Sequence, residues 1–313
     1  MIYNYFHIID IQKRHFRVTE EVSIENARTN EQYLADEDSL ETLNLISNFL
    51  FTEAASFGDD GRKLCQMILE TMLGYSLPYL KVEIQKVIPS GDPSKHGIRL
   101  DVYLEDSDLS RDGQPQESVY DIEMENKEFH PRRARYYHSL TDRKLLNAGA
   151  DYNSLGNVIV LIIMPRDPFG KNRVKYTIKR KVIEDSSIEY DDGDTTYYFY
   201  TQGTVYDGPQ EVVDLLHYIE DSKDENVKNP KIAEIHNIVQ KVKKDKEVGV
   251  AYMKWKDYDR ERLEEGIQKG IELERENTEK ERQRAETEKQ RAEAAENEIL
   301  ILKEELNKLQ KVQ

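Results

Sequence analysis

Four acidic side chains in two short segments are the residues of this sequence best suited to chemistry. Asp121, Glu123 and Glu125 alternate with other residues in the segment VYDIEMEN, and Asp101 follows the apolar beginning of GIRLDVYLED. Alternate side chains of a β-strand point to the same face, so the alternation places the first three acids on one face of a strand. If the two strands pair through the turn at 112–113, Asp101 lies beside Glu123.

Carboxylates that converge at the end of a sheet form an oxygen-rich site of the kind that Mg²⁺ or Mn²⁺ prefers. A cation held there lowers the pKa of a bound water, orients that water toward a phosphodiester and stabilises the leaving oxygen. Carboxylates this close also raise one another's pKa, so metal binding is expected to tighten as the pH rises. The alternative interpretation is structural, because an antiparallel strand commonly exposes every second, polar residue to water.

The sign of the charge changes just after these acids. Residues 127–144 contain six basic side chains against two acidic ones, and residues 166–181 contain seven against one. Aromatic residues interleave with both segments, so the basic groups are suited to phosphates and the rings to stacking on bases. The alternative is a charged surface helix followed by a charged loop.

The spacing of apolar residues predicts the elements that must hold these side chains. The predicted elements are helices at 40–74, 132–148 and from 210 onward, and strands at 80–88, 97–104, 119–125, 157–164 and within 176–205. The run Val158–Met164 is apolar and rich in β-branched residues, which is typical of a central strand covered on both faces. Helices before and after a strand group that a buried strand rejoins indicate an α/β domain with a mixed sheet.

The tail from residue 260 to 313 differs in composition from the rest of the chain and predicts one long charged helix. Heptad positions a and d carry convincing apolar residues only in the last two heptads, which hold Ile299, Leu302, Leu306 and Leu309. Two interpretations stay open. One is a solvated single helix with Glu–Lys and Glu–Arg pairs along its surface, and the other is a coiled coil that joins copies of the chain through residues 285–313.

The composition limits the class of protein. Acidic residues number 61 and basic ones 45, which gives a formal net charge of −16. The longest apolar run is far shorter than the ~20 residues of a membrane helix, and the N-terminus lacks a secretory signal, so no membrane function is expected. A single cysteine, Cys65, excludes an intramolecular disulfide and favours a reducing, cytoplasmic location. Since the acidity is uneven, DNA binding is expected to be weak without a divalent cation, steeply salt-dependent and confined to one face.

Longer stretches are more specific than any single motif. They are NFLFTEAASFGDDGRKLCQMILETMLG, GIRLDVYLED, VYDIEMEN, RRARYYHSLTDRKLLNAGADYNSLGNVIVLIIMPRDPF and YFYTQGT. Together these stretches resemble the recombination-promoting nuclease (Rpn) and transposase proteins of the PD-(D/E)XK nuclease superfamily, over residues 44–256. The resemblance implies a metal-dependent DNA endonuclease that promotes recombination or DNA mobility, with Mg²⁺ or Mn²⁺ as cofactor. It also implies a core made of a helix, a mixed four-stranded sheet and a second helix.

The resemblance assigns roles by position. Asp101, Glu123 and Glu70 would be metal ligands, with Glu70, on the helix before the first strand, as the helical acid. Glu125 would be a catalytic residue that could serve as an extra metal ligand. Glu125 stands where the superfamily has lysine and the family usually has glutamine, and Lys127 is a substitute if the strand continues that far. The expected nucleic-acid contacts are Arg133, Arg135, Tyr136, Tyr137 and His138, the last standing where the family has glutamine.

The predicted organisation has four parts. An extension of unassigned role, with a strand-like alternation at 2–8, occupies residues 1–40, and the nuclease-like domain occupies residues 41–206. A helical region follows at 207–259, and the charged helix at 260–313.

Glu125 cannot supply a positive charge, which leaves an alternative function. The alternative is a catalytically degenerate module that binds nucleic acid or a protein partner and oligomerises through its tail.

Overall fold

A computed structural model of the chain describes residues 39–89, 98–106, 118–126 and 130–310, with side chains described up to residue 304. The strand expected at 2–8, Lys127 and the last three residues of the expected coiled coil lie outside the described residues. The chain divides after Tyr252 into two compact units. Within the described residues, no helix combines the length and the apolar composition needed to cross a membrane.

The described residues form six α-helices and six β-strands. The helices are α1 (Asn48–Ala55), α2 (Gly58–Leu73), α3 (Pro131–Leu145), α4 (Gln210–Glu220), α5 (Pro230–Lys244) and α6 (Lys246–Gln310). The strands are β1 (Leu80–Ile88), β2 (Ile98–Asp106), β3 (Ser118–Met124), β4 (Val158–Met164), β5 (Lys175–Ile178) and β6 (Asp194–Tyr200).

The described strands form one mixed sheet in the order β1-β2-β3-β4-β6-β5. Strands β1, β2 and β3 are antiparallel neighbours, β4 lies parallel to both β3 and β6, and β5 is antiparallel to β6. Parallel neighbours need a long crossover, which contains α3 between β3 and β4. The α/β class with a mixed sheet flanked by helices is therefore confirmed.

Strand β4 is buried along its whole length. Its odd-numbered residues Ile159, Leu161 and Ile163 pack into the larger core, while Val158 and Val160 belong to a cluster on the opposite face. A strand with apolar residues at every position needs such cover on both sides. The prediction of a central, doubly covered strand is confirmed.

Helices α1, α2, α4 and α5 cover one face of the sheet and build the larger core with it. The sequence predicted a single helix at 40–74, but the structure has two, because the backbone turns at Gly58, whose φ is 58°. Gly61 then packs so close to α1 that a Cβ atom would lie 2.2 Å from the carbonyl oxygen of Ala55. Cys65 is buried in this core.

Helix α3 covers the other face of the sheet. It begins at Pro131, whose missing N–H costs nothing in the first helical turn. Ala134, Tyr137 and Leu140 are buried against the sheet at the three-residue spacing of one helix face. His138 and Thr141 are buried as well, whereas Arg135, Tyr136 and Ser139 are exposed on the side away from the sheet.

The second unit is the part of α6 that follows Tyr252. Its side chains are almost all exposed, and ion pairs one turn apart, such as Lys280 with Glu276 (3.5 Å between Nζ and Oε2), lie along its surface. Ile299 and Leu302 are also exposed, by 52% and 57%. The long charged helix is present, and Ile299 and Leu302 near its end are exposed to solvent.

Candidate active site

Pairing of β2 with β3 places Asp101 beside Glu123. The antiparallel ladder runs as far as Val102 opposite Ile122, and the next pair in that order is Asp101 with Glu123. The backbone N–H of Asp101 donates to Oε1 of Glu123, with 3.1 Å between the nitrogen and the oxygen. The Glu123 carboxylate therefore contacts the backbone of Asp101 at the end of the ladder, and the Asp101 charge helps to raise the pKa of Glu123.

The alternation of β2 changes phase at Asp101. Leu100 packs on the side that α3 covers, whereas Val102 packs into the larger core on the other side. In a regular strand these two residues would share a face. The facing position on β1 is Gln85, whose backbone is left-handed with a φ of 49°, which is uncommon for residues other than glycine. At this irregularity, Asp101 lies between a residue that packs on one face of the sheet and a residue that packs on the other.

Asn48, the first residue of α1, is a partner of Asp101 that the sequence did not reveal. Its side-chain amide donates to Oδ2 of Asp101, across 53 positions of the chain. Burial raises the pKa of Asp101 above its ordinary value, and the hydrogen bond from Asn48 opposes that rise. Asn48 therefore holds one oxygen of Asp101 in place and favours its charged form.

Asp121 is as deeply buried as Glu123, and the two are the most buried of the candidate acids. Asp121 is 2% exposed, and neither of its carboxylate oxygens accepts a hydrogen bond from an N–H or hydroxyl group of the described residues. The Glu123 carboxyl is close enough to share a proton with it, and this hydrogen bond opposes the rise in the pKa of Asp121. Burial raises the pKa of Asp121 and of Glu123 well above their ordinary values, and the neighbouring acidic charges add to both rises. A buried carboxylate without a donor is costly to ionise. This part of the site therefore favours either a shared proton or an added cation.

Arg133 on α3 is the cation that contacts these acids. Its Nη1 lies 2.7 Å from Oε2 of Glu125, and its Nη2 lies 3.4 Å from Oε2 of Glu123. Its Nε donates to the hydroxyl oxygen of Tyr137 at 2.8 Å, one helical turn along α3. The guanidinium carbon also lies 5.2 Å from the centre of the Tyr137 ring. Arg133 is thus held from two sides, by the acids and by a buried ring.

Glu70 lies on α2, and the structure does not bring it to these acids. Its Oε1 accepts from the backbone N–H of Leu77 at 2.7 Å and from the side chains of Gln66 and Ser76. Partial burial tends to raise the pKa of Glu70, but these hydrogen bonds outweigh it and lower the pKa. Glu70 therefore closes the turn that follows α2.

The five residues expected to contact nucleic acid divide between two sides of α3. Arg135 and Tyr136 are exposed, and Arg133 lies at the edge of the acid site. Tyr137 and His138 are each only 5% exposed. Because side chains follow the 3.6-residue period of the helix, these two face the sheet. A contact with nucleic acid is therefore expected from Arg135 and Tyr136, and burial leaves Tyr137 and His138 no surface for one.

His138 ties α3 to β6. Its Nδ1 lies 3.1 Å from Oδ1 of Asp194, and its Nε2 lies 2.8 Å from Oγ1 of Thr196. Burial tends to raise the pKa of Asp194, but His138 and Arg180 outweigh it and lower the pKa. The buried contacts with Asp194 and Thr196 give His138 a structural role.

Replacing His138 with alanine is expected to lower the free energy of unfolding by about 2 kcal/mol, because it leaves buried polar groups of β6 without a partner. Arg135→Ala is the matched variant on the exposed side of the same helix. It is expected to change stability by less than about 0.5 kcal/mol but to weaken DNA binding. Urea unfolding and a duplex-binding titration measure the two effects. A His138→Ala protein of wild-type stability would contradict the structural role.

Part of the second basic segment, 166–181, is neutralised within the fold. Arg180 pairs with Asp192 and Asp194, and Nζ of Lys179 lies 3.9 Å from Oδ1 of Asp191. The Nζ of Lys175 lies 4.2 Å from the centre of the Tyr197 ring. The count of charges along the sequence therefore overstates the positive surface of this segment.

The acid site supplies oxygen donors for a divalent cation, although the described residues do not form a complete metal-binding group. In the ranges 39–89, 98–106, 118–126 and 130–304, no three His, Cys, Asp or Glu side chains are arranged as a formed metal-binding group. Asp101, Asp121 and Glu123 nevertheless bring carboxylate oxygens into mutual electrostatic contact, and both oxygens of Asp121 lack an N–H or hydroxyl donor among those residues. Hard oxygen donors of this kind fit Mg²⁺ or Mn²⁺. Asn48 contacts one oxygen of Asp101 and Arg133 contacts one oxygen of Glu123, and each carboxylate has lone pairs beyond those that these contacts use.

Comparison with models of known protein families gives no match to this chain. A search of curated proteins and a search of solved structures also give no match. The chemistry of the acid site is therefore the basis on which a function is assigned.

Proposed function

We propose that the protein is a Mg²⁺-dependent endonuclease that hydrolyses phosphodiester bonds of DNA and so promotes recombination or transposition-like DNA mobility. The observation that carries this proposal is the meeting of Asp101 and Glu123 beside the buried carboxylate of Asp121, which has no N–H or hydroxyl donor among the described residues. The order of elements supports a PD-(D/E)XK core, because α2 precedes the strands β1–β4 and α3 lies between β3 and β4. The family resemblance implies a helix, a four-stranded mixed sheet and a second helix, and the first four strands of the six-stranded sheet are compatible with that core.

Asp101, Asp121 and Glu123 would hold the cation, with Mn²⁺ as an alternative to Mg²⁺. The chemistry supplied at these residues by a bound cation would be activation of a water molecule and compensation of the negative charge of the phosphate. Asn48 keeps the carboxylate of Asp101 oriented through its hydrogen bond. Arg133 holds a guanidinium at the mouth of the site, where phosphodiester oxygens can accept from it. The chain thus supplies oriented oxygen donors and one positive group.

DNA is the proposed substrate because the exposed side of α3 carries Arg135 and Tyr136 two and three positions beyond Arg133. Arginine contacts phosphates without reading sequence, and an exposed ring stacks on a base. The net charge of −16 opposes a polyanion. The arginine contacts are with phosphates and release their counterions, so binding is expected to fall steeply as salt increases.

Cleavage of a supercoiled plasmid tests the proposal. We expect nicked or linear DNA in the presence of Mg²⁺ or Mn²⁺ and intact plasmid after chelation with EDTA. If the wild-type chain at high concentration leaves the plasmid intact with either metal, the proposed activity is wrong.

The contacts of Arg133 favour a second candidate function, a nuclease-like module that binds nucleic acid or a protein partner without turnover. Its guanidinium pairs with both Glu123 and Glu125, so an internal group already offsets part of their charge. This candidate predicts DNA binding that is independent of Mg²⁺, with no cleavage. Measuring binding and cleavage of one labelled duplex, with and without EDTA, separates the two functions.

We also propose that the second unit joins two copies of the chain as a parallel coiled coil. Ile299 and Leu302 occupy heptad positions a and d and are exposed on α6. In a parallel, in-register dimer, the flanking e and g positions bring opposite charges together, Arg291 with Glu296 and Glu298 with Lys303 of the second copy. Both the apolar and the charged heptad positions therefore favour a parallel, in-register dimer.

Removing the residues after Arg260 is expected to convert a dimer into a monomer, measured by sedimentation equilibrium. Glu298→Lys in the full chain is expected to weaken the dimer, because it faces Lys303 of the second copy with a like charge. Adding Lys303→Glu to the same chain is expected to restore the dimer. If the full and shortened chains are both monomeric, or are equally associated, the coiled-coil proposal fails.

A further inference from the structure

The acid site has a surplus of negative charge where its proposed substrate is an anion. Asp101, Asp121, Glu123 and Glu125 lie within electrostatic reach of one another. A phosphodiester that approaches them is repelled unless positive groups offset the field. Glu125 adds to this repulsion, although it follows Glu123 on the edge of the site where a cation would help most.

Among the described residues, the cation that contacts these acids comes from α3. We propose that Arg133 is a catalytic residue that binds the scissile phosphate, and that Glu125 is the residue that positions it. This inference rests on the proposed nuclease function. It assigns a use to the acid at position 125, which otherwise opposes the reaction.

The burial of the three groups sets their order from the interior to the solvent. The side chain of Glu123 is 3% exposed, that of Glu125 is 13% exposed, and that of Arg133 is 43% exposed. The guanidinium therefore lies between the buried acids and the solvent from which DNA arrives. A guanidinium has five N–H donors in a planar fork, so one can bind a carboxylate and a phosphate at the same time.

The orientation of Arg133 is built into the fold. Nη1 meets Glu125 at 2.7 Å, and Nε meets the hydroxyl oxygen of Tyr137 at 2.8 Å. Tyr137 is itself buried, and the next residue, His138, ties the helix to β6. Groups held in this way lose little entropy when the substrate binds, which is the condition for stabilising a transition state efficiently. Glu125 therefore acts on the reaction through Arg133.

Four variants of the full chain test the inference by plasmid cleavage with Mg²⁺. Arg133→Gln is expected to lower kcat by about 100-fold, the effect of losing one preorganised donor, with KM changed less than about threefold. Glu125→Gln is expected to lower kcat by about 10-fold, and the double variant to match Arg133→Gln, because the two residues act as one unit. Arg133→Lys is expected to recover part of the rate. The matched control, Arg62→Gln, changes an exposed arginine of α2 and is expected to leave kcat unchanged.

A second measurement does not depend on turnover. In EDTA, Arg133→Gln is expected to reduce the slope of log affinity for a DNA duplex against log salt by about 1, the value for one phosphate contact. Arg62→Gln is expected to leave that slope unchanged. An unchanged slope in Arg133→Gln would overturn the phosphate contact.

The cleavage outcomes separate this inference from the function on which it rests. A wild-type chain that cuts no DNA overturns the proposed function and the inference together. If the wild type cuts and Arg133→Gln cuts equally fast, only the inference is overturned. A Glu125→Gln protein faster than the wild type, or effects of the two substitutions that multiply, would overturn the positioning role of Glu125.

Discussion

Asp101→Asn is expected to lower the rate of plasmid cleavage by about 10³-fold or more. A metal-activated hydrolysis depends on several kcal/mol of charge stabilisation, and each ~1.4 kcal/mol lost costs about tenfold in rate. Asparagine keeps the size of aspartate and keeps an oxygen that can accept from Asn48. The variant is therefore expected to fold, so that the lost rate reports the lost carboxylate charge.

Glu105→Gln provides the matched control for Asp101→Asn. Glu105 lies on the same strand, outside the acid site, and its Oε1 is 3.7 Å from Nζ of Lys144. Removing the charge of Glu105 is expected to change the rate of plasmid cleavage less than about threefold, because a half-exposed ion pair contributes little to stability. Equal cleavage by the wild type and Asp101→Asn would contradict the assignment of Asp101 as a metal ligand. A loss of rate in both variants would point to a general effect on folding.

Asp121→Asn is expected to raise the free energy of unfolding at about pH 8 by about 1–3 kcal/mol, because it replaces a buried carboxyl that is costly to ionise with a neutral amide of the same size. Burial holds the pKa of Asp121 well above its ordinary value in the folded chain, whereas in the unfolded chain this carboxyl titrates at about 3.9. Between these two pKa values the folded state binds more protons than the unfolded state. Stability of the wild type therefore falls as the pH rises through this window, and asparagine removes the contribution of Asp121 to that fall.

Urea unfolding in EDTA at about pH 5 and about pH 8 measures this effect, since the two values lie above the ordinary pKa of aspartate. The wild type is expected to lose more stability between the two pH values than Asp121→Asn. Asp207→Asn, at an exposed position, is the control and is expected to behave as the wild type within about 0.5 kcal/mol. A variant less stable than the wild type at the higher pH would contradict a buried Asp121 that is costly to ionise.

Divalent cations are expected to reverse part of the difference between the wild type and Asp121→Asn. A cation that binds the folded chain and not the unfolded chain stabilises it in proportion to the logarithm of its concentration. In the wild type that binding is expected to strengthen as the pH rises, because the carboxylates must ionise to bind the cation.

Local patterns predicted the strands that carry the acids. The alternation around Glu123 identified β3 and the face that Asp121 and Glu123 share, because the side-chain period of a strand is a property of the backbone alone. The apolar run at 158–164 identified β4 for a similar reason, since only a strand covered on both faces has no polar positions. The neighbour relation of Asp101 and Glu123 followed once β2 and β3 were taken as a hairpin.

The place of Glu70 on the helix before the first strand did not predict its position relative to the acid site. The hydroxyl of Tyr75, just beyond α2, lies 3.3 Å from that of Tyr120, which packs into the larger core. Tyr120 and Glu123 are separated by an odd number of positions on β3, so they face opposite sides of the sheet. The end of α2 therefore lies on the face of the sheet opposite to Glu123, and Glu70 is engaged there by the backbone N–H of Leu77. Linear order along the chain does not state which face of a sheet a helix covers.

The sequence by itself determined the types and the strand spacing of the acids, the α/β class and the charged terminal helix. These features depend on interactions between residues close together in the chain. Only the tertiary structure decided that Asn48 binds Asp101, that Arg133 pairs with Glu125, and that His138 is buried against β6. Such contacts join distant segments, and they form only after the helices pack on the sheet and remove their facing side chains from water.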